Sequence, residues 1–346
     1  MSLFRICTSV SNHAIPWGGL LRFSPVKISE PVTQLAKSAH GSHLLARLSS
    51  WRPSARQTRA LVILLLLLIP IQALTAAAQL SPTFDEGSKL ASGYAYLVTG
   101  RFHSGLDHPP LAKQLAALPL LIVKHQVPLD IYEWNQDFQW PDQLATPGVD
   151  DIDHLFLWAR LSIALLTIVL GWVVYRWTTD LFGSTAGVLA LFILAFDPIV
   201  LAMGGLVNND IAVATFFALT LYCVWRLVHL PTCRSVLWAG LAFGLAQLSK
   251  FSALILVPLI CFLVFWVWLI PTLNRHLGWK FPVCQYPRRS LSWYVGSVLG
   301  IFAIGTLVIW AGYRFEIGPL ESIKPTGDMK EFWLPDRLPE PYRDLI

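Results

Sequence analysis

Charge is scarce in this chain. Only 14 % of its 346 residues are charged, whereas 55 % are hydrophobic. Soluble domains carry about 25 % charged residues. A single water-facing fold around one core is therefore excluded, and a polytopic membrane protein is expected. Cysteine is sparse too. Cys7, Cys223, Cys233, Cys261 and Cys284 include no CxxC pair, and none lies in the polar stretch after the first apolar run. That argues against a disulfide framework and against a zinc site; free thiols, buried or cytosolic, are expected. There is no run of like charges, no solenoid repeat, no P-loop, no dinucleotide-binding glycine motif and no Ser-His-Asp set. The basic residues behind the net charge of +5 are scattered between apolar spans. They form no stripe, so nucleic acid is excluded as a partner.

What is abundant is long apolar runs. A membrane-spanning helix needs about 20 apolar residues. The run ALVILLLLLIPIQALTAAAQL at 60–80 meets that length. Its Ala76-Ala77-Ala78 tail resembles a signal-peptidase site, but the run exceeds the h-region of about 7–15 residues, which favours an uncleaved anchor. Six further spans are expected: Phe156–Tyr175, Gly183–Met203, Ile211–Val228, the short Ser235–Ser249, Phe251–Ile270 and Ser290–Gly312. The expected fold is thus all-α, a polytopic transmembrane helical bundle of about seven spans. Its large outer first loop, 81–155, carries short interfacial helices, of which Leu111–Val123 is one. Residues 1–59 form a basic, Ser-rich extension, with eight Lys or Arg against Glu30 alone. It reads as a transit peptide, as a disordered cytoplasmic arm or as an overlong start. Residues 60–312 form the membrane domain, and 313–346 begin an outer C-terminal segment.

Basic residues cluster before the first span and at alternate loops after it. The 81–155 loop carries ten acidic and four basic residues. The positive-inside rule then places the amino terminus in the cytoplasm and that loop outside, in a multi-pass plasma-membrane protein of bacterial type rather than one of the endoplasmic reticulum. On this topology six ionisable groups from five segments converge on one membrane face. They are Asp85, Glu86, His108, Arg160, Asp210 and Lys250, with Asn209 beside Asp210. Singly each has an ordinary explanation: acids suit a first helical turn, Asp210 suits an N-cap, and Arg160 and Lys250 can snorkel to headgroups. Together they point to a site, because ionisable groups at membrane depth are costly. A carboxylate beside cations at a lipid interface suits group transfer from an anionic lipid. The carboxylate takes a proton from an acceptor hydroxyl, and the cations hold a phosphate leaving group as its charge develops.

Four segments, FDEGSKLASGYAYLVTGRF, DHPPLAKQLAALPLL, DPIVLAMGGLVNNDIAVATFFAL and GLAFGLAQLSKFSALILVPL, occur in this order. Over about residues 60–320 the chain resembles the protein O-mannosyltransferase-like glycosyltransferases. These include the dolichyl-phosphate-mannose protein mannosyltransferases and the lipid A aminoarabinose transferases, which share the C-type membrane glycosyltransferase fold. The resemblance implies a polyprenyl- or dolichyl-phosphate sugar as donor and inversion at the anomeric carbon. It implies a hydroxyl acceptor on a protein, a lipid or a glycan. It matches the catalytic acid to Asp85 with Glu86 beside it, and the second acidic motif to Asp210, which with Asn209 orients the acceptor or a cation. His108, Pro109 and Pro110 match the HPP-type segment. Lys250 matches the basic residue of the helical hairpin, placed on the carrier phosphate with Arg160 and His108. Two carboxylates facing one site are able to hold a divalent cation, but no distinctive ligand set stands out. The chain departs from its relatives at Asn208-Asn209, where many have Thr-Thr. It also ends at LPEPYRDLI, where relatives continue, so a fragment lacking the C-terminal part is expected. Two alternatives remain: a transporter or flippase for a lipid-linked anion, and a non-catalytic membrane assembly partner.

Overall fold

The computed structural model describes residues 54–100, 102, 107–122, 152–277 and 289–316. The expectations for residues 1–53 and for 317–346 lie outside the described residues. The chain divides into two units, Met1–Tyr313 and Arg314–Ile346. All described helices belong to the first, and among the described residues there is no strand.

The helices are α1 (Ala55–Ala77), α2 (Phe84–Thr99), α3 (Leu111–Ile122), α4 (Ile152–Phe182), α5 (Ser184–Ala195), α6 (Pro198–Gly204), α7 (Asp210–His229), α8 (Cys233–Ser249), α9 (Leu256–Leu277) and α10 (Leu291–Gly312), with a 3-10 turn at Phe251–Ile255 before α9. Five of them are long and apolar enough to cross a membrane, or six if the bent α5–α6 pair is one span. Six of the seven expected spans are accounted for in this way. The difference lies in α8, whose 17 residues rise only about 25 Å at 1.5 Å each. That falls short of a hydrocarbon core of about 30 Å. Instead α8 packs between α7 and α10. A Cβ on Gly240 or Gly244 would press into Ile304 or Val308 of α10, so the missing side chains let the two backbones close up.

Helices α1, α6, α8 and α10 begin at a residue whose side chain caps them. Ser54 opens α1: its Oγ accepts from Gln57 N at 3.3 Å, while its own N–H donates to Gln57 Oε1 at 2.8 Å. The α5–α6 pair is bent by 61°. Such a break would leave backbone groups unsatisfied inside a membrane. Asp197 Oδ1 accepts from the N–H groups of Ile199 and Val200, each at 2.9 Å. Gln72 of α1 donates to the Ala195 carbonyl at 3.1 Å. The break is therefore satisfied on both sides.

Two buried ionic layers sit on α4. Arg160 anchors one and Asp180 the other, 20 residues apart, which is about 30 Å along a helix and matches one hydrocarbon thickness. At the Asp180 end, Tyr222 of α7 donates its hydroxyl to Asp180 Oδ2 at 2.8 Å, Arg176 lies 3.2 Å from Oδ1, and Arg226 donates to the Tyr222 oxygen at 3.2 Å. Between the layers the outward faces are apolar, as with Leu64, Phe192, Phe262 and Leu299. Cys223, Cys233 and Cys261 are free thiols.

The helical hairpin α2–α3 carries the polar end of the bundle. A Cβ on Gly93 would collide with the Lys113 carbonyl. Helix α2 therefore touches α3 backbone to backbone at that point, and only glycine permits it. Gly93→Val is expected to force the hairpin apart. Overpacking of this kind costs about 1–3 kcal/mol, read as a lower thermal midpoint of the detergent-solubilised protein; an unchanged midpoint would show that the contact is soft.

Candidate functional site

The expected site residues all fall at one end of the bundle, in two tiers. The inner tier is Glu86 with Arg160. Glu86 is 1 % exposed and Arg160 3 %. Arg160 Nε donates to Glu86 Oε1 at 2.9 Å and NH2 to Oε2 at 2.7 Å, a bidentate pair. NH1 donates to the carbonyls of Ala77 at 2.7 Å and Leu80 at 3.1 Å, and NH2 also reaches Ser81 O at 3.3 Å. All three guanidinium nitrogens are thus engaged by the protein itself, pinning the exit of α1 to the start of α2. Glu86 is equally engaged. It accepts from Thr83 N at 2.9 Å, as the N3 member of the α2 cap, and from Val207 N at 2.8 Å, ahead of α7. Burial pushes the Glu86 carboxyl up. The Arg160 hydrogen bonds and charge, with the Thr83 and Val207 N–H groups, outweigh that and hold it below its ordinary value.

The outer tier is open. Asp85 lies 100° around α2 from Glu86 and is exposed, with Lys89 one turn on at 3.4 Å. Asp210 is the first residue of α7 and meets Lys250 Nζ at 2.7 Å, both side chains partly exposed. Lys250 occupies the extended step between α8 and the 3-10 turn. Asn209 is buried; its Nδ2 donates to Ser249 O at 2.8 Å, tying α7 to the end of α8. Its Oδ1 is buried without a hydrogen-bond partner, and so is Nδ1 of His108. His108 precedes Pro109-Pro110 and lies 6.4 Å, ring to ring, from Phe251. Burial pushes its pKa below 6.5; the neighbouring Asp107 opposes this, while Lys250, Lys113 and Lys89 add to it. The imidazole is therefore neutral at pH 7. The charges of all three lysines bear on His108.

Lys89 and Lys113 escaped the sequence reading. The spacing of Lys89 four residues after Asp85 was a usable signal. For Lys113, third residue of α3, nothing in the sequence distinguished it from an exposed lysine. Among the described residues no group of three or more His, Cys, Asp or Glu side chains gathers to hold a metal ion. Asp85 and Asp210 each face a lysine, a partner that competes with a divalent cation.

Residues 153–279 match the model of a family described as dolichyl-phosphate-mannose-protein mannosyltransferase. The match runs from α4 into the stretch after α9. It takes in Arg160, Asn209, Asp210 and Lys250 and leaves out Asp85, Glu86 and His108. No curated protein and no solved structure matches the chain.

Proposed function

We propose that the protein transfers a sugar, of mannose type, from a polyprenyl- or dolichyl-phosphate carrier to a hydroxyl group at the end of the bundle where Asp85, His108 and Lys250 meet. The observation that carries this reading is the division of the two adjacent acids. Glu86 is spent on Arg160, while Asp85 remains open to solvent beside Lys89. In the reaction the acceptor oxygen bonds to the anomeric carbon as the bond from that carbon to the carrier phosphate breaks. The phosphate leaves with the electron pair, and the acceptor proton passes to the Asp85 carboxylate. Lys250, Lys89 and neutral His108, donating an N–H, hold the phosphate as its charge grows. Asp210 keeps Lys250 in place, and Asn209, with its unengaged Oδ1, orients the acceptor. Attack opposite the leaving phosphate inverts the anomeric centre. Arg160 and Glu86 are positioning residues beneath this site.

The site faces outward, toward periplasm, exterior or lumen. The basic stretches on the other side of the spans support this orientation. The acceptor is a hydroxyl on a protein, a lipid or a glycan.

The test is transfer from a panel of polyprenyl-phosphate sugars by membranes containing the full chain, with Lys250→Met alongside. The expected result is transfer from one donor class, with the donor KM raised at least about tenfold in Lys250→Met, since a charge-assisted hydrogen bond contributes about 1.5–3 kcal/mol. Absence of transfer from every donor would overturn the reading.

A further inference from the structure

Lys113 is the most deeply buried cation of the polar end after being missed by sequence. Its side chain is 1 % exposed, yet its partner Asp107 stands half in solvent. The ammonium donates to Asp107 Oδ1 at 2.6 Å and to the His108 carbonyl at 3.2 Å. A lysine in the first turn of a helix leans toward the amino-terminal end, so the side chain reaches back over Pro109 and Pro110 to the tip of the loop. Its own backbone is braced from behind, because Gly93 of α2 packs directly on the Lys113 carbonyl. Gln114, the next residue, donates to the Gly312 carbonyl of α10 at 3.2 Å. The base of α3 is thus tied to two helices, and Lys113 carries that rigidity to His108.

We propose that Lys113 is a positioning residue of the site: clamped between Asp107 and the His108 carbonyl, it fixes the His108 imidazole with Nδ1 left for a ligand and cancels the charge of Asp107 next to it. This rests on the transfer reading for the identity of the ligand, but not for the clamp. The electrostatic half has a simple sign. The charged groups acting on His108 are Asp107, which favours its protonation, and Lys250, Lys113 and Lys89, which oppose it; burial opposes it as well. Removing the Lys113 charge leaves Asp107 unopposed and adds to proton affinity. Removing Asp107 does the reverse. A lysine that does not act on the imidazole would leave the midpoint unmoved when its charge is removed.

The experiment follows carbethoxylation of His108 in the membrane-embedded full chain against pH, read by peptide mass spectrometry, since only the neutral imidazole reacts. In the wild type the midpoint is expected below 6.5. Lys113→Met is expected to raise it by about one pH unit, the size of shift an unscreened neighbouring charge produces. Lys113→Met/Asp107→Asn is expected to bring it back, and Lys113→Arg to keep it near the wild-type value. Asp107→Asn alone changes an exposed side chain and is expected to lower the midpoint, which decides the matter if Lys113→Met does not fold. An unmoved midpoint in Lys113→Met, or in Asp107→Asn, would overturn the proposal. Where transfer is measurable, the acid limb of its pH profile is expected to follow the same order. Absence of transfer with these midpoint shifts intact would defeat the transfer reading and leave the clamp standing.

Discussion

Asp85→Asn is expected to lower transfer by about 10²–10⁴-fold, the contribution of a positioned general base, while leaving the amount of folded protein unchanged. The side chain is exposed and its one ion pair, to Lys89, is long at 3.4 Å. Exposed pairs of this kind contribute little to stability. The substitution keeps size and shape but removes the charge and the ability to take a proton. Asp85→Glu keeps the base but lengthens its reach, so partial activity is expected from it. Initial rates with saturating donor, alongside thermal midpoints, check both. Full activity in Asp85→Asn would remove Asp85 from the role of base.

The neighbouring residue is expected to behave oppositely. Glu86→Gln or Arg160→Met leaves one half of a buried ion pair behind. Breaking such a pair costs about 3–5 kcal/mol, because an uncompensated charge remains out of water. Arg160→Met further strips the donors from the carbonyls of Ala77, Leu80 and Ser81, and the α1–α2 connection loses its anchor. The expected result is a sharply reduced folded fraction in detergent. The double replacement Glu86→Gln/Arg160→Met is expected to cost less than the two single changes added together, since neither charge is stranded. Additive losses would show that the two side chains do not act as a pair. The pH dependence follows from the same geometry. The folded-state pKa of Glu86 lies below its ordinary 4.5. Its stabilising contribution is therefore complete above that value and is lost as pH falls through the lower, folded-state one.

Asp85 and Glu86 also show what a sequence can and cannot deliver. Adjacent helical residues point about 100° apart, so one of the two had to face inward. Which one depends on Arg160, 74 residues away from Glu86, and on Val207, 121 residues away. Local pattern carries no information about partners at that separation. The same holds for Arg160. Its depth in an apolar helix marked it as functional or structural, but only its five hydrogen bonds to Glu86 and three carbonyls distinguish a saturated guanidinium from a phosphate ligand.

The amino-acid sequence by itself determined that this chain is an all-helical membrane protein, where most of its spans lie, and that Asp85, Glu86, His108, Arg160, Asp210 and Lys250 gather at one end. Those features follow from composition and from runs of apolar residues, which are local properties with a direct cost in lipid. The tertiary structure decided the rest. It closed α8 against α10 through Gly240 and Gly244. It separated the saturated Glu86–Arg160 pair from the open Asp85 and Asp210, and it drew Lys89 and Lys113 into the neighbourhood of His108. The physical reason is the same in each case: burial and ion pairing are settled by which surfaces meet, and residues far apart in the chain meet only when the helices pack.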